Sequence, residues 1–297
     1  MVEENVNRAV ETPKHHRARW IVAVLVMFPL ALFLLVVAHH VWSTWVLEET
    51  IWFDPAPETY GDWHPKNLPY EDVWFSCDGY RLHGWYVAHD APRASVLFLH
   101  GSSGNLSYRD DMLRKLHDDL KVTSMVFDYR GFGRSEGALD GEEALLADSR
   151  AARKFLAQRS GVAERDIVLL GRSLGSALAI DLASRDGARA LVIQNAFTSL
   201  PDVAHFHYRF APVYRTMRYR LNSLSKIARY HGPLLQSHAA QDDVVPLEQA
   251  RRLFAAANEP KTFLLQPNAR HATPPSQALF DALDALLDRL QASKLGD

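Results

Sequence analysis

The segment Gly171-Arg172-Ser173-Leu174-Gly175 constrains this chain more than any other, because of what flanks it. Before it stands a run that is apolar at every position, residues 167–170 (IVLL), and after it an apolar segment continues to Ala183. G-x-S-x-G between a strand and a helix forces a turn so sharp that its central residue must take strained backbone angles, with its side chain held out at the tip. Glycines two residues to either side let strand and helix crowd together. Ser176, Ala177 and Ala179 keep the helix slim where it meets a sheet. Ser173 is therefore the candidate nucleophile, with the positive end of a helix dipole beside it. The plainer alternative for such a serine is a helix N-cap.

The rest of the chain supplies the sheet that this turn requires. Residues 73–76 and 82–88 flank Asp78-Gly79, a strong hairpin signal. Short apolar runs follow at 95–99 (SVLFL), 122–127 and 191–193, with weaker ones at 234–237 and 262–265. Strands apolar on both faces belong in a parallel sheet covered by helices. The last helix is legible from Leu279, Leu283, Leu286 and Leu290, which form one apolar stripe, with Pro274 and Pro275 just ahead of its start. An antiparallel hairpin followed by alternating strands and helices predicts an α/β fold: an open, mostly parallel central sheet with helices on both faces. With 47% hydrophobic and 23% charged residues the chain has the apolar content for such a core. Its net charge of −2 offers no basic stripe for nucleic acid.

The N-terminal region follows another rule. Residues 20–38, WIVAVLVMFPLALFLLVVA, carry no charge. At about 1.5 Å per helical residue this run nearly matches a hydrocarbon core of about 30 Å. Pro29 is tolerated in a membrane span, and Trp20, Trp42 and Trp45 lie where interfacial aromatics belong. Arg8, Lys14, Arg17 and Arg19 precede the run, Glu48, Glu49 and Asp54 follow it, and no Lys or Arg comes after it until Lys66. The positive-inside rule then leaves the N-terminus in the cytosol and the remainder extracytoplasmic. A cleaved signal peptide shares the basic head, but its apolar region is usually shorter, about 7–15 residues, and ends at small residues. Here Ala38 is followed by His39 and His40, so a retained anchor is the expectation. The predicted organisation is a cytosolic basic head (1–19), a transmembrane anchor (20–42), a linker that wraps onto the domain (43–69), and an α/β domain (70–297) with a small cap at 196–232.

A serine hydroxyl becomes a nucleophile only when a neighbouring base takes its proton. After a G-x-S-x-G turn the partners follow in the order Ser, acid, His. His271 stands late in the chain, after the run at 262–265 and before the last helix, where a loop at the C-terminal edge of the sheet is expected. His205, His207, His231 and His238 come before or beside the acid. His205 and His207 at i, i+2 lack the further clustered ligands a metal would need. QDDVVP offers Asp242 or Asp243 as the acid that holds the imidazole tautomer. Straight after SVLFL comes His100-Gly101-Ser102-Ser103-Gly104-Asn105, whose small residues let backbone N–H groups approach a developing oxyanion. The N–H groups of Ser102 and Leu174 are the candidate donors. DYRGFGRSEG from Asp128 also follows a strand, but its third glycine is misplaced for a dinucleotide loop and no Walker lysine follows. Cys77 is the only cysteine, which excludes an intrachain disulfide and suits a buried, idle thiol.

HGSSGNLSYR, DYRGFGRSEG, GRSLGS, QDDVVP and the late His271 stand in an order and spacing that resembles the α/β-hydrolase-domain proteins with an N-terminal anchor, a branch near the serine aminopeptidase and monoacylglycerol-lipase-like hydrolases. The likeness spans roughly residues 70–290 and lies in the combination of motifs. It implies the α/β-hydrolase fold and chooses Asp242, four residues before the proline of D-x-x-V-P, as the acid. It makes Ser102, the residue after His-Gly, an oxyanion donor, and gives Asp128 and Arg130 a packing role in a D-x-R-G turn. His238-Ala239 before the acid and Ala269-Arg270 before His271 depart from the family's usual glycines without removing a reactive group. The resemblance implies hydrolysis through an acyl-enzyme, with no metal or organic cofactor, acting on a small-molecule or lipid acyl substrate. Phe197, Phe206, Tyr208, Phe210, Tyr214 and Tyr219 are available to line an apolar pocket, and Arg209, Arg215, Arg218 and Arg220 to face anionic headgroups or solvent. An esterase, a peptidase or amidase, and a non-catalytic membrane-tethered scaffold remain the three function classes.

Overall fold

The computed structural model describes residues 13–209 and 212–295, so Arg8 of the basic head and Phe210 of the cap lie outside the described residues. The chain divides into two units, Met1–Leu47 and Glu48–Asp297. Helix α1 (Pro13–Trp52) carries Pro29 in its interior. Its apolar side chains between Val24 and Val37, among them Leu25, Phe28 and Leu35, are exposed. A helix apolar all round does not belong in water. It is the one helix among the described residues long and apolar enough to cross a membrane. The helix continues ten residues beyond the expected end of the anchor at residue 42, because residues 43–52 contain neither glycine nor proline. It stops just before Pro55.

From Glu48 onward the chain builds one α/β unit. A two-residue strand β1 (Asp54–Pro55) precedes the hairpin β2 (Tyr70–Cys77) and β3 (Tyr80–Val87). Asp78 (φ 50°) and Gly79 (φ 85°) both take left-handed angles, as a two-residue primed turn demands. Next come β4 (Ser95–Leu99), the short β5 (Ser103–Gly104), α2 (Asp110–Arg114), β6 (Thr123–Phe127) and α3 (Gly141–Ser160). They are followed by β7 (Ile167–Arg172), α4 (Leu174–Asp186) and β8 (Ala190–Gln194). Short helices α5 (Leu200–His207) and α6 (Leu224–Ile227) occupy the expected cap segment. The chain ends with β9 (Leu234–Ala239), α7 (Leu247–Ala256), β10 (Lys261–Gln266) and α8 (Gln277–Leu295). The main sheet has eight strands in the order β10-β9-β8-β7-β4-β6-β3-β2. Only the β2–β3 and β3–β6 pairs are antiparallel.

The central strands bury both faces. Leu97 and Leu99 of β4 and Ile167 and Leu169 of β7 enter one core, while Val96, Phe98, Val168 and Leu170 enter the other. Helices α3, α4 and α7 cover the first face through Leu145, Leu178 and Leu253, and α2 and α8 cover the second. All four leucines of the α8 stripe are buried, and truncating any one to alanine should cost about 2–5 kcal/mol. The segment expected as a linker is held down too. Trp63 and Leu68 are in the second core, and the Arg134 guanidinium lies 4.3 Å from the Trp63 ring centre.

The D-x-R-G turn after β6 is a strut. Asp128 is fully buried and accepts a hydrogen bond from the Leu106 N–H at 2.8 Å. Arg130 donates to Asp148 through Nε (3.0 Å) and Nη2 (2.6 Å), and to Asp78 at 3.1 Å. The Asp148 bonds hold the Arg130 guanidinium in its charged form more firmly than usual. Cys77 lies beneath it, and burial foremost, with Asp148 next, pushes its thiol up to about 12, so it stays protonated.

Candidate active site

At the end of β7 the backbone of Ser173 takes φ 52° and ψ −115°, outside the ordinary regions for a side-chain-bearing residue. Such strain costs about 1–3 kcal/mol and persists only where the surroundings impose it. Here the Ser173 N–H is tied to the Gln194 carbonyl at 2.9 Å, and α4 begins at the next residue. The two glycines are obligatory. A Cβ on Gly171 would stand 2.4 Å from the Gly175 carbonyl oxygen, and one on Gly175 would stand 1.9 Å from that of Leu99. The turn presents Ser173 at the C-terminal edge of the sheet.

The structure brings Ser173, His271 and Asp242 together. Ser173 Oγ lies 3.0 Å from His271 Nε2, and His271 Nδ1 lies 2.8 Å from Asp242 Oδ2 and 3.0 Å from Oδ1. With Nδ1–H donating to the carboxylate, Nε2 is left to accept from the serine hydroxyl. The Asp242 side chain is fully buried, and Oδ1 also accepts the N–H groups of Val244 (2.9 Å) and Val245 (2.7 Å). Burial favours its protonated form, but the His271 hydrogen bond and charge and the two backbone donors outweigh that, so its pKa lies below the ordinary carboxylate value. Asp243 points to solvent, with Arg270 at 3.7 Å.

His238 sits behind the acid, its Nε2 3.8 Å from Asp242 Oδ2 and 3.1 Å from the Val245 carbonyl. Burial lowers its pKa against the pull of Asp242, so it is a neutral donor. The His271 carbonyl accepts from Arg172 Nη2 (2.9 Å) and Asn195 Nδ2 (3.1 Å), and Arg172 Nη2 also reaches the Thr273 carbonyl (2.9 Å). Sequence reasoning missed Arg172 and Asn195 as positioning groups. The first occupies a variable position of the motif, and the second is placed only by the register of β8 beside β7.

The loop after β4 is the neighbour of the turn, because Leu99 is in register with Gly171. A Cβ on Gly101 would be 3.7 Å from that of Ser173, so the backbone passes close to the hydroxyl. The Leu174 N–H, first in α4, has no carbonyl of its own helix to bond. The Ser102 carbonyl accepts the Asp54 N–H at 2.9 Å, and β1 pairs in parallel with β5. The expected linker therefore pins the loop that bears Ser102.

Two cavities open at Ser173. One, of about 50 Å³, also holds Ser102 and Leu174 and is walled by apolar groups including Trp52, Phe53, Phe197, Leu200 and Val244. The other, of about 370 Å³, contains His271, Arg109, Arg172 and Ser103 as well as Ser102 and Ser173. A larger concavity of about 690 Å³, lined by Ser95 and Thr123, lies at the N-terminal ends of β4 and β6. Parallel sheets bind ligands at the opposite, C-terminal ends, where Ser173 is.

Of the described cap aromatics Phe197 lines the small cavity at Ser173. Phe206 and Tyr208 are exposed, Tyr214 lies 4.6 Å from the His205 ring, and Tyr219 is buried against Phe53 at 4.8 Å. Tyr219 is fixed by α1, because Glu48 accepts its N–H (2.8 Å) and that of Arg218 (2.9 Å). Arg218 is paired with Glu49 at 2.9 Å. His207 Nε2 lies 2.8 Å from the Val244 carbonyl, and among the described residues no group of three His, Cys, Asp or Glu side chains could hold a metal ion.

Residues 96–295 match the model of the alpha/beta hydrolase family, and the chain belongs to that family. An uncharacterised protein of Mycobacterium tuberculosis is 37% identical over 215 residues, covering 71% of this chain and 76% of the relative. The alpha/beta hydrolase domain-containing protein WAV2 of Arabidopsis thaliana is 31% identical over 226 residues, 69% of this chain and 73% of its own. Among solved structures, an esterase of Pyrococcus furiosus superposes with a TM-score of 0.64 at 19% identity, covering 81% of this chain and 97% of that one. The likeness to the solved structure is one of fold.

Proposed function

We propose that this protein is a membrane-tethered serine esterase acting on short-chain acyl esters. The carrying observation is the hydrogen-bonded series Ser173–His271–Asp242 at a strained turn between β7 and α4. Ser173 Oγ attacks the ester carbonyl carbon while His271 Nε2 takes its proton, and Asp242 stabilises the imidazolium that results. The oxyanion is held by the Ser102 and Leu174 N–H groups, each worth about 10²-fold or more in rate. The tetrahedral intermediate collapses, the C–O bond to the leaving alcohol breaks, and His271 returns the proton to that oxygen. Water, deprotonated by His271, then attacks the acyl-enzyme, the acyl–Oγ bond breaks, His271 returns the proton to Ser173 Oγ, and the carboxylic acid leaves. The apolar cavity beside Leu174 has space for a few heavy atoms, which favours a short acyl group. The name of the Pyrococcus furiosus protein supports an ester over an amide.

In this reading α1 spans a bilayer with the basic head in the cytosol, which sets the hydrolase unit on the extracytoplasmic side. The test is a panel of short-chain p-nitrophenyl esters and aminoacyl anilides, run with the wild type and with Ser173→Ala. Ester turnover that Ser173→Ala abolishes is expected. Turnover of the anilides alone would replace the esterase with an amidase, and turnover that survives in Ser173→Ala would remove Ser173 from the reaction.

A further inference from the structure

We infer that Arg109 and Arg172 form a subsite for a carboxylate or phosphate carried by the leaving alcohol, so that the substrate is a short acyl ester of an anionic alcohol. This rests on the esterase reading and names the other half of its substrate.

The leaving oxygen must come within reach of His271 Nε2 to receive its proton. His271 lines the larger cavity at Ser173 and not the small apolar one, so the alcohol occupies the larger cavity. Two arginines, Arg109 and Arg172, line that cavity. Elsewhere in the unit most half-buried and buried arginines meet carboxylates: Arg93 pairs with Asp284 and Asp288, Arg130 with Asp148 and Asp78, and Arg134 with Glu58, whereas Arg189 is held by the Arg93 and Leu290 carbonyls. Arg109 and Arg172 have no carboxylate within 4.0 Å among the described residues. Arg109 donates to the Ser103 carbonyl through Nη2 at 2.5 Å, but its Nε is buried without a hydrogen-bond partner. Arg172 uses only Nη2 to hold the His271 loop.

The two cations also oppose each other. Burial first, and then the charge of Arg172, make Arg109 release its proton more readily than a free arginine, and burial does the same to Arg172. A guanidinium remains charged under any such shift. Two desolvated like charges lining one cavity repel, and the carboxylates of Asp128 and Asp242 offset this only from beyond 4.0 Å, so an anion bound in that cavity is favoured. The planar fork of arginine matches a carboxylate or phosphate, and such charge-assisted bonds are about twice as strong as neutral ones.

The experiment uses the full-length protein and two matched ester pairs, O-butyryl glycolate against O-butyryl glycolamide and butyryl glycerol 3-phosphate against monobutyrin. Wild type should favour the anionic member of each pair at least tenfold in kcat/KM at low salt, chiefly through KM. Arg109→Gln should shrink that ratio below threefold, and Arg109→Lys should keep part of it. Arg172 is the poorer choice because removing it also frees the His271 loop. Dihexanoyl phosphatidylglycerol separates the sources: hexanoic acid released from it assigns the anion to a lipid headgroup, turnover confined to the soluble esters assigns it to a soluble alcohol, and both support the subsite. No preference in the wild type, or an equal loss for both members of a pair in Arg109→Gln, overturns it. Labelling of Ser173 by a fluorophosphonate keeps the two readings apart. Absent labelling of the wild type rejects the hydrolase reading, whereas labelling without charge preference rejects only the subsite.

Discussion

Two glycine-bearing turns leave the C-terminal ends of β6 and β7, the strands on either side of β4, and each contains an arginine. In the turn after β6 the arginine is answered: Arg130 is clamped by Asp148 and Asp78, and Asp128 takes a backbone N–H through Oδ1 while its Oδ2 is buried without a hydrogen-bond partner. In the turn after β7 the central serine is strained, its hydroxyl faces a cavity, and Arg172 beside it has only carbonyl partners among the described residues. The two resemble each other in composition and differ in what meets their polar groups. A turn whose arginine is clamped by carboxylates holds the sheet together. A turn with strain and unanswered charge has something left over for a ligand.

The sharpest way to break this contrast is to mutate both turns. Ser173→Ala should lower ester hydrolysis by about 10⁴-fold or more with an unchanged melting temperature, since a smaller side chain fits the same backbone. Asp148→Ala should do the reverse in kind, costing about 3–5 kcal/mol of stability by leaving the Arg130 charge buried and unpaired. Denaturant unfolding beside rate measurements reads both. Stability loss in the first or a purely kinetic defect in the second would erase the distinction. Next, Asp242→Asn should slow hydrolysis on the order of 10⁴-fold through the wrong imidazole tautomer, while Asp243→Asn stays within a few-fold.

Much of this was legible from residues. The strand runs, the Asp78-Gly79 hairpin and the α8 leucines are local patterns: unbroken apolar runs, a two-residue turn and one helical stripe. The glycine spacing around Ser173 is local as well. Choosing Asp242 over Asp243 required the resemblance, because adjacent aspartates differ only in which one the loop turns inward. Arg109 ends the quoted motif HGSSGNLSYR without any pattern that gives it a role, and Asn195 left no signal, since its place depends on the register of β8 beside β7. For the segment read as a linker that wraps onto the domain, composition named no partner: the Asp54 N–H bonds to the Ser102 carbonyl and Glu48 holds the cap backbone.

That region gives a third test, of smaller effect. A chain beginning at Glu48 should keep full ester turnover, whereas one beginning at Asp54 loses Glu48, Trp52 and Phe53 and should fall several-fold in kcat/KM, with a lower melting temperature. Equal activity of the two would reduce the segment to a tether. The smallest expected effect is on pH. Burial lowers the pKa of His238 and of His83 below 6.5. The unfolded chain therefore binds protons there more readily, so the stability due to these groups is complete above pH 6.5 and is lost as pH falls through their lower folded values. Melting temperatures should decline on acidification below pH 6.5, and substituting Phe for His83 should flatten that decline.

The central claim is that Ser173 is the activated residue of the chain, and covalent capture tests it most directly. The full-length protein is treated with a fluorophosphonate and its peptides are mapped by mass spectrometry. A single phosphonyl adduct on Ser173, formed far more slowly in His271→Ala, is the predicted result. An adduct on another serine, or no adduct on a folded protein, would contradict the account.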